Sequence, residues 1–319
     1  MTDDDSGSGR YDTPLAVSGR QEDGGWSRRG ILVVLGGIGV ASAVESGTAR
    51  QSEREQSWPQ FGYDTTNSGH VPANTGPRSN IELTWIDGEA TSQIGAPVVA
   101  DGRLYATADD NTLRAHDVAS GEVVWSFDRP SANGWMSSPA VVDGTVYVGT
   151  VDNDLFALDA ASGTERWRYE TSGEIDWVLS PAVRDGTVFA ASSDATVSAF
   201  DAATGSKTWE TAVTTPASSP AVADGTVYVG SINVEQGGVY ALDAATGERR
   251  WTYEGSEVAA LLSPPAVSDG TVFTVGNDDR VYALDAETGD ETWTVTLDTS
   301  SRDVYYSPAV TAERVYAVS

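Results

Sequence analysis

The chain repeats itself every 42 residues, and this period constrains its fold more than any other feature. Asp117, Asp159, Asp201, Asp243 and Asp285 each stand 42 residues after the last. A glycine follows each of them at plus four (Gly121, Gly163, Gly205, Gly247, Gly289) and a tryptophan at plus eight (Trp125, Trp167, Trp209, Trp251, Trp293). A Pro-x-Val signal recurs at Pro97, Pro139, Pro181, Pro220, Pro265 and Pro308, with a spacing that wanders between 39 and 45. Insertions therefore fall in loops while the elements between them keep register. A repeat of this length is one supersecondary unit that cannot bury its faces alone, so neighbouring units must stack.

Within one unit, Ser138-Pro139-Ala140-Val141 reads as a short apolar strand, and Asp143-Gly144 is the strongest two-residue hairpin signal. Residues 145–150 are β-branched and aromatic and read as a second strand. The acidic turn Asp152-Asn153-Asp154 leads to a third strand at 155–158. At 159–163 the Asp bonds its own backbone and the Gly is free to take positive φ. Residues 165–169 form the fourth strand, alternating Trp167 and Tyr169 with Arg166 and Arg168. Four short antiparallel strands per repeat describe a blade, so the expected fold is an all-β propeller of four-stranded antiparallel blades over residues 81–319. Trp85, 40 residues before Trp125, joins the five matched tryptophans, and all six are assigned to packing between blades. Five repeats are complete. A lone strand at 81–85 precedes them, and two strands at 306–310 and 314–318 follow, with Glu313-Arg314 in place of Asp-Gly. Pairing the terminal strands in one blade leaves its third strand missing. The expectation is a ring truncated from seven or eight blades, with a marginal six-bladed ring as the alternative.

The motif Val-x-Asp-Gly-x-Val-Tyr-Val-Gly, then Leu-Tyr-Ala-Leu-Asp-Ala-x-Thr-Gly, then Trp, resembles the pyrrolo-quinoline quinone (PQQ)-like repeat. Trp58-Pro59-Gln60-Phe61-Gly62 followed by Asn67-Ser68-Gly69 resembles the lead-in that many such proteins carry. The resemblance implies a propeller of seven or eight blades. It covers both PQQ-dependent alcohol dehydrogenases and the non-enzymatic outer-membrane assembly lipoprotein BamB. The dehydrogenases hold Ca²⁺ with carboxylate and amide oxygens, use an Asp base, and many carry adjacent cysteines over the quinone. This chain has no cysteine and no paired Asp-Asn site outside its repeat turns. No cofactor is therefore expected, PQQ and calcium entering by resemblance alone. The favoured reading is a non-catalytic protein-binding or scaffolding module. The alternatives are a quinoprotein dehydrogenase-like enzyme and a fragment of a larger propeller protein.

Specificity belongs in the irregular loops that lead into the innermost strands. Trp135 and Trp177 both stand four residues before a Pro-Ala-Val signal, at equivalent places in neighbouring blades. With Asn133, Glu174, Asp176, Arg302, Asp303 and Tyr305 they make the candidate ligand or partner loops at the channel mouth. The turns Asp109-Asp110-Asn111, Asp152-Asn153-Asp154 and Asn277-Asp278-Asp279 suggest cation ligands, but their recurrence at one hairpin makes them turn chemistry, and no metal site is expected. His116 falls where other repeats have Leu158, Leu242 and Leu284, and it reads as a half-buried core imidazole.

Charge and the N-terminus set the surroundings. There are 47 Asp and Glu against 19 Lys and Arg, for a net −28, and Lys207 is the only lysine. Such a surface suits a halophile's protein, because in 1 M salt a Debye length of about 3 Å screens its self-repulsion. Nucleic acid and anionic lipid are poor partners for it, since no basic patch exists to neutralise phosphates. Residues 1–26 read as disordered, and 27–49 as a twin-arginine export segment: Arg28-Arg29, an apolar run at 31–44, and the small-x-small site Ala41-Ser42-Ala43. The run is shorter than the roughly 20 residues a membrane span needs. Residues 50–80 read as a tether ending in a segment that packs on the folded domain. The expected product is an extracytoplasmic monomer, secreted or at the cell surface, engaging another exported or surface protein. It has no stable membrane span after cleavage, unless the signal is retained as an anchor.

Overall fold

The computed structural model describes residues 38–42, 60–62, 64–68, 82–87, 95–108, 110–128, 137–152, 154–170, 178–214, 218–231, 238–255, 263–297, 307–311 and 314–317. It is all-β, and five four-stranded antiparallel meanders follow one another as the 42-residue period requires. The first blade contains β3 (Val98–Ala100), β4 (Arg103–Thr107), β5 (Thr112–Asp117) and β6 (Val123–Asp128). The remaining four blades run from β7 (Ala140–Val142) to β22 (Glu291–Thr296) in the same order. Two short sheets flank them: β23 (Ala309–Thr311) pairs with β24 (Arg314–Tyr316), and β1 (Ile38–Ser42) pairs with β2 (Glu82–Asp87). The third-strand position beside β2, unassigned from sequence, is thus taken by part of the apolar segment.

Local chemistry sets each hairpin. In every complete blade the first turn is Asp-Gly with both residues at positive φ, as at Asp143 (49°) and Gly144 (69°). That is the primed turn whose twist matches the flanking strands. The second recurring turn is held by an aspartate. Asp159 accepts from the Ser162 N–H at 2.9 Å and from the Ser162 hydroxyl at 2.9 Å. Arg166 donates to the other carboxylate oxygen at 2.7 Å, and Asp243 is bound by Arg250 at the same distance. The Arg166 hydrogen bond, then that of Ser162, holds the Asp159 carboxyl at about 2, and Asp243 sits at about 2 through Arg250. A depressed carboxyl stabilises the fold above the unfolded-chain value of roughly 4 and loses that contribution as pH falls toward 2. Arg166→Ala is expected to return Asp159 toward the usual carboxylate range, so the turn weakens at higher pH. An NMR titration of the Asp159 carboxyl checks this, and an unmoved midpoint contradicts it.

The core lies between blades. Clusters of buried residues join the first blade to the second (Leu113, Trp125, Val146, Phe156), the second to the third (Tyr147, Trp167, Val188, Phe200), and so on round the series. Five of the six outer-strand tryptophans reach the next blade, whereas Trp293, expected to pack there too, is 41% exposed on a strand that is exposed throughout. Trp125, Trp167, Trp209 and Trp251 donate their indole N–H to the carbonyls of Ala160, Ala202, Ala244 and Ala286 at 2.9–3.1 Å, and Trp85 donates to Val118 at 2.9 Å. Buried tyrosines donate to the same acceptors: Tyr147 to Ala202 and Tyr228 to Ala286, each at 3.1 Å. Burial pushes both phenols up, so they stay protonated donors. The turn glycine is obligatory for a second reason beyond its φ. A Cβ on Gly205 would lie 2.6 Å from the Trp167 ring.

His116 departs from its expectation. It is fully buried rather than half-buried, because Trp85 stacks on it at 5.7 Å and 17° and its Nδ1 lies 3.2 Å from the Gly121 carbonyl oxygen. The acidic turn at Asp110 behaves as turn chemistry, its carboxylate accepting from Thr112 and Arg114.

Candidate functional site

The innermost strand of a blade presents one edge to the propeller axis, so its peptide groups need partners there. Four of these edges are satisfied by one short piece of the lead-in. Thr65, Thr66 and Ser68 offer their carbonyls to the N–H groups of Val222, Val267 (2.8 Å) and Val310 (2.8 Å), and the Gln60 side-chain oxygen accepts from Val183 at 3.3 Å. These valines are the equivalent residue of four successive Pro-Ala-Val signals. The segment crosses the axis as a strap bonded in turn to the third, fourth and fifth blades and to β23.

Its shape comes from its own side chains. The Asp64 carboxylate accepts from the N–H groups of Thr66 (3.1 Å) and Ser68 (3.0 Å) and from both hydroxyls (2.8 Å each). Asn67 takes a left-handed φ of 54°, which an asparagine tolerates. Gly62 closes over it, where a Cβ would meet the Asn67 Cα at 2.6 Å. Buried Asn67 donates through Nδ2 to the carbonyls of Pro220 (3.3 Å) and Pro265 (3.2 Å), bridging two blades. Arg184 adds a link from Nη1 to the Thr65 hydroxyl at 3.4 Å and to the Val222 carbonyl at 3.1 Å.

A serine rim surrounds the strap. The Ser138 hydroxyl accepts from the Ala96 N–H at 2.8 Å, and the Ser180 hydroxyl from the Ser138 N–H at 2.9 Å, each one repeat further on. Ser137, Ser218 and Ser263 accept from Gly149, Gly230 and Val275 at 2.7–2.8 Å, pinning the start of each inner strand to the second strand of its own blade. The sequence signal for this rim is a serine one or two places before the repeat proline.

The candidate loop residues Asn133, Trp135, Glu174, Asp176, Trp177, Arg302, Asp303 and Tyr305 lie outside the described residues, as do Arg28 and Arg29 of the export segment. What is described is their anchorage: Ser137 follows Trp135 by two places, and Val178, next to Trp177, is bridged to Ser192. Among the described residues, no three of the His, Asp and Glu side chains gather as a metal would require, and no helix is long and apolar enough to cross a membrane.

Comparison with known proteins places this geometry. A family model described as outer membrane protein assembly factor BamB matches residues 83–253 and 235–319. The structure of BamB from Moraxella catarrhalis superposes with a TM-score of 0.63 at 22% identity, covering 74% of this chain and 72% of that one. Quinohemoprotein alcohol dehydrogenase from Comamonas testosteroni superposes with a TM-score of 0.65 at 19% identity, covering 78% of this chain and 50% of that one. Among curated proteins, a stretch of 106 residues is 33% identical to 1-butanol dehydrogenase (cytochrome c) of Thauera butanivorans, which is 32% of this chain and 15% of that protein. A stretch of 76 residues is 33% identical to the dehydrogenase subunit of the quinone alcohol dehydrogenase of Gluconacetobacter polyoxogenes, 22% of this chain and 10% of that protein. The chain thus spans a small part of the curated relatives it matches.

Proposed function

From the premise that this chain belongs to the family of the outer membrane protein assembly factor BamB, we propose that it is a non-catalytic propeller that binds another exported or cell-surface protein through the loops of one face. The observation that carries this reading is the strap. The axial N–H groups of Val183, Val222, Val267 and Val310 are spent on the chain's own residues 60–68. This supports a reading in which the loops, and not the axial peptide groups of these four strands, make the contacts with another molecule. The 33% identical stretches shared with the alcohol dehydrogenases keep a catalytic reading as the alternative, and the lack of cysteine weighs against it.

In this reading the blades are a rigid frame and the loops before Pro139, Pro181 and Pro308 carry specificity. In it Trp135 and Trp177 serve as aromatic anchors of the kind that dominates interface energetics, and Asp176, Arg302 and Asp303 as polar contacts. The twin-arginine segment brings the folded protein out of the cytoplasm, and the acidic surface keeps it hydrated there. Co-purification from the cell envelope in molar salt tests the proposal. A specific protein is expected to be recovered, and Trp135→Ala with Trp177→Ala to lower its recovery by at least about tenfold, the loss of one good anchor's roughly 1.4 kcal/mol or more. Recovery unchanged by both substitutions, or no specific protein at all, overturns it.

A further inference from the structure

The pairing of β1 with β2 reproduces, residue for residue, the join of third to fourth strand in the complete blades. In all five, an alanine faces the outer-strand tryptophan, and the next residue skips one place to pair two before it. Ala115 faces Trp125 and His116 faces Val123; Ala157 faces Trp167 and Leu158 faces Glu165; Ala283 faces Trp293 and Leu284 faces Glu291. The other two blades do the same. In β1, Val40 faces Trp85, and Ala41 then faces Leu83 across the same skip. Two places beyond the tryptophan the match continues, with Ile38 facing Asp87 where Val281 faces Val295. A register with a bulge at a fixed place is specific, since a slip of one residue turns every side chain to the opposite face.

The sequences agree with the register at the two ends of the strand. The third strands read apolar, any, Ala, apolar or bulky, Asp, as in Val281-Tyr282-Ala283-Leu284-Asp285. Residues 38–42 read Ile, Gly, Val, Ala, Ser, with an apolar residue first and an oxygen-bearing residue last, while Val40 opposite the tryptophan and Ala41 after it reverse the small-then-bulky order of Ala283 and Leu284. An open edge beside β2 would expose a row of peptide groups ready to pair with another chain.

We propose that Ile38–Ser42 is an internal strand donor, taking the third-strand place beside β2 and covering the edge of the strand that carries Trp85. The donor lies inside the stretch that also reads as the export segment and overlaps its small-residue site Ala41-Ser42-Ala43. The two uses exclude one another in one molecule, so processing after Ala43 uncovers β2.

The chain has no cysteine, which makes a cross-linking test clean. Facing residues of an antiparallel pair lie about 4.5–5.5 Å apart at Cα, within the 4.4–6.8 Å that a disulfide bridges. Full-length Ile38→Cys/Asp87→Cys and Ser42→Cys/Glu82→Cys, oxidised with glutathione disulfide in molar salt, are expected to link. Ile38→Cys/Glu82→Cys, displaced by roughly 17 Å along the strand, is expected to link at least tenfold less. Adding Val40→Pro, which removes a ladder donor, is expected to lower the 38–87 link by a similar factor while near-UV circular dichroism of the blades is kept. Equal linking in all three pairs, or none in either facing pair of a folded protein, overturns the assignment.

Discussion

Trp167→Ala is expected to destabilise the protein by about 3–5 kcal/mol, whereas Trp293→Ala costs less than about 1 kcal/mol. The two tryptophans hold the same place in their repeats, so composition and spacing cannot separate them. Packing does. Trp167 is buried, tilted at 49° against Tyr147 with ring centroids 5.9 Å apart, and bonded to Ala202 with Gly205 beneath its ring. Trp293 is 41% exposed, on a strand whose residues are exposed throughout. Urea unfolding at fixed molar salt measures both. Similar losses would show that the matched tryptophans are not blade-to-blade packing groups.

Asn67→Ala is the second substitution with a large expected effect, about 2–5 kcal/mol. It removes two hydrogen bonds to buried proline carbonyls, each worth roughly 0.5–1.5 kcal/mol and leaving an acceptor unmatched. It also places an alanine at a left-handed φ, which costs about 1–2 kcal/mol. Asn67→Gly keeps the backbone and loses only the bonds, so about 1–3 kcal/mol is expected. Hydrogen exchange at Val222, Val267 and Val310 is expected to rise in both variants, because the strap covers those amides. Unchanged exchange in the alanine variant would mean that the strap is held by something other than Asn67.

Much of this architecture was legible in advance because it rests on local chemistry repeated at a fixed interval. Asp-Gly at 143–144 needs only its own backbone to make a primed turn, and Asp159 needs only residues up to Arg166. The tryptophans were assignable because five rings at one spacing cannot all be a site. The axial strap was legible only as a packing segment. Its partners, Pro220, Pro265 and Val310, lie 153 or more residues away, and no periodicity links a tether to them. The serine rim was missed because serine before proline reads as a loop. His116 was placed correctly in the core but underburied, since the stacking partner Trp85 comes from outside its own repeat. Residues 38–42 show why a short apolar run is ambiguous: the same composition suits an export segment or a buried strand. The loops expected to carry specificity are the irregular part of the sequence, where repetition says least.

The proposed function has this propeller bind a protein partner and carry out no quinone chemistry. Titration of the full chain with PQQ and Ca²⁺ in molar salt, followed by absorbance and by dye-coupled alcohol oxidation, tests it most directly. The proposed function predicts no saturable quinone binding and no turnover. Stoichiometric binding with alcohol-dependent dye reduction would contradict the account.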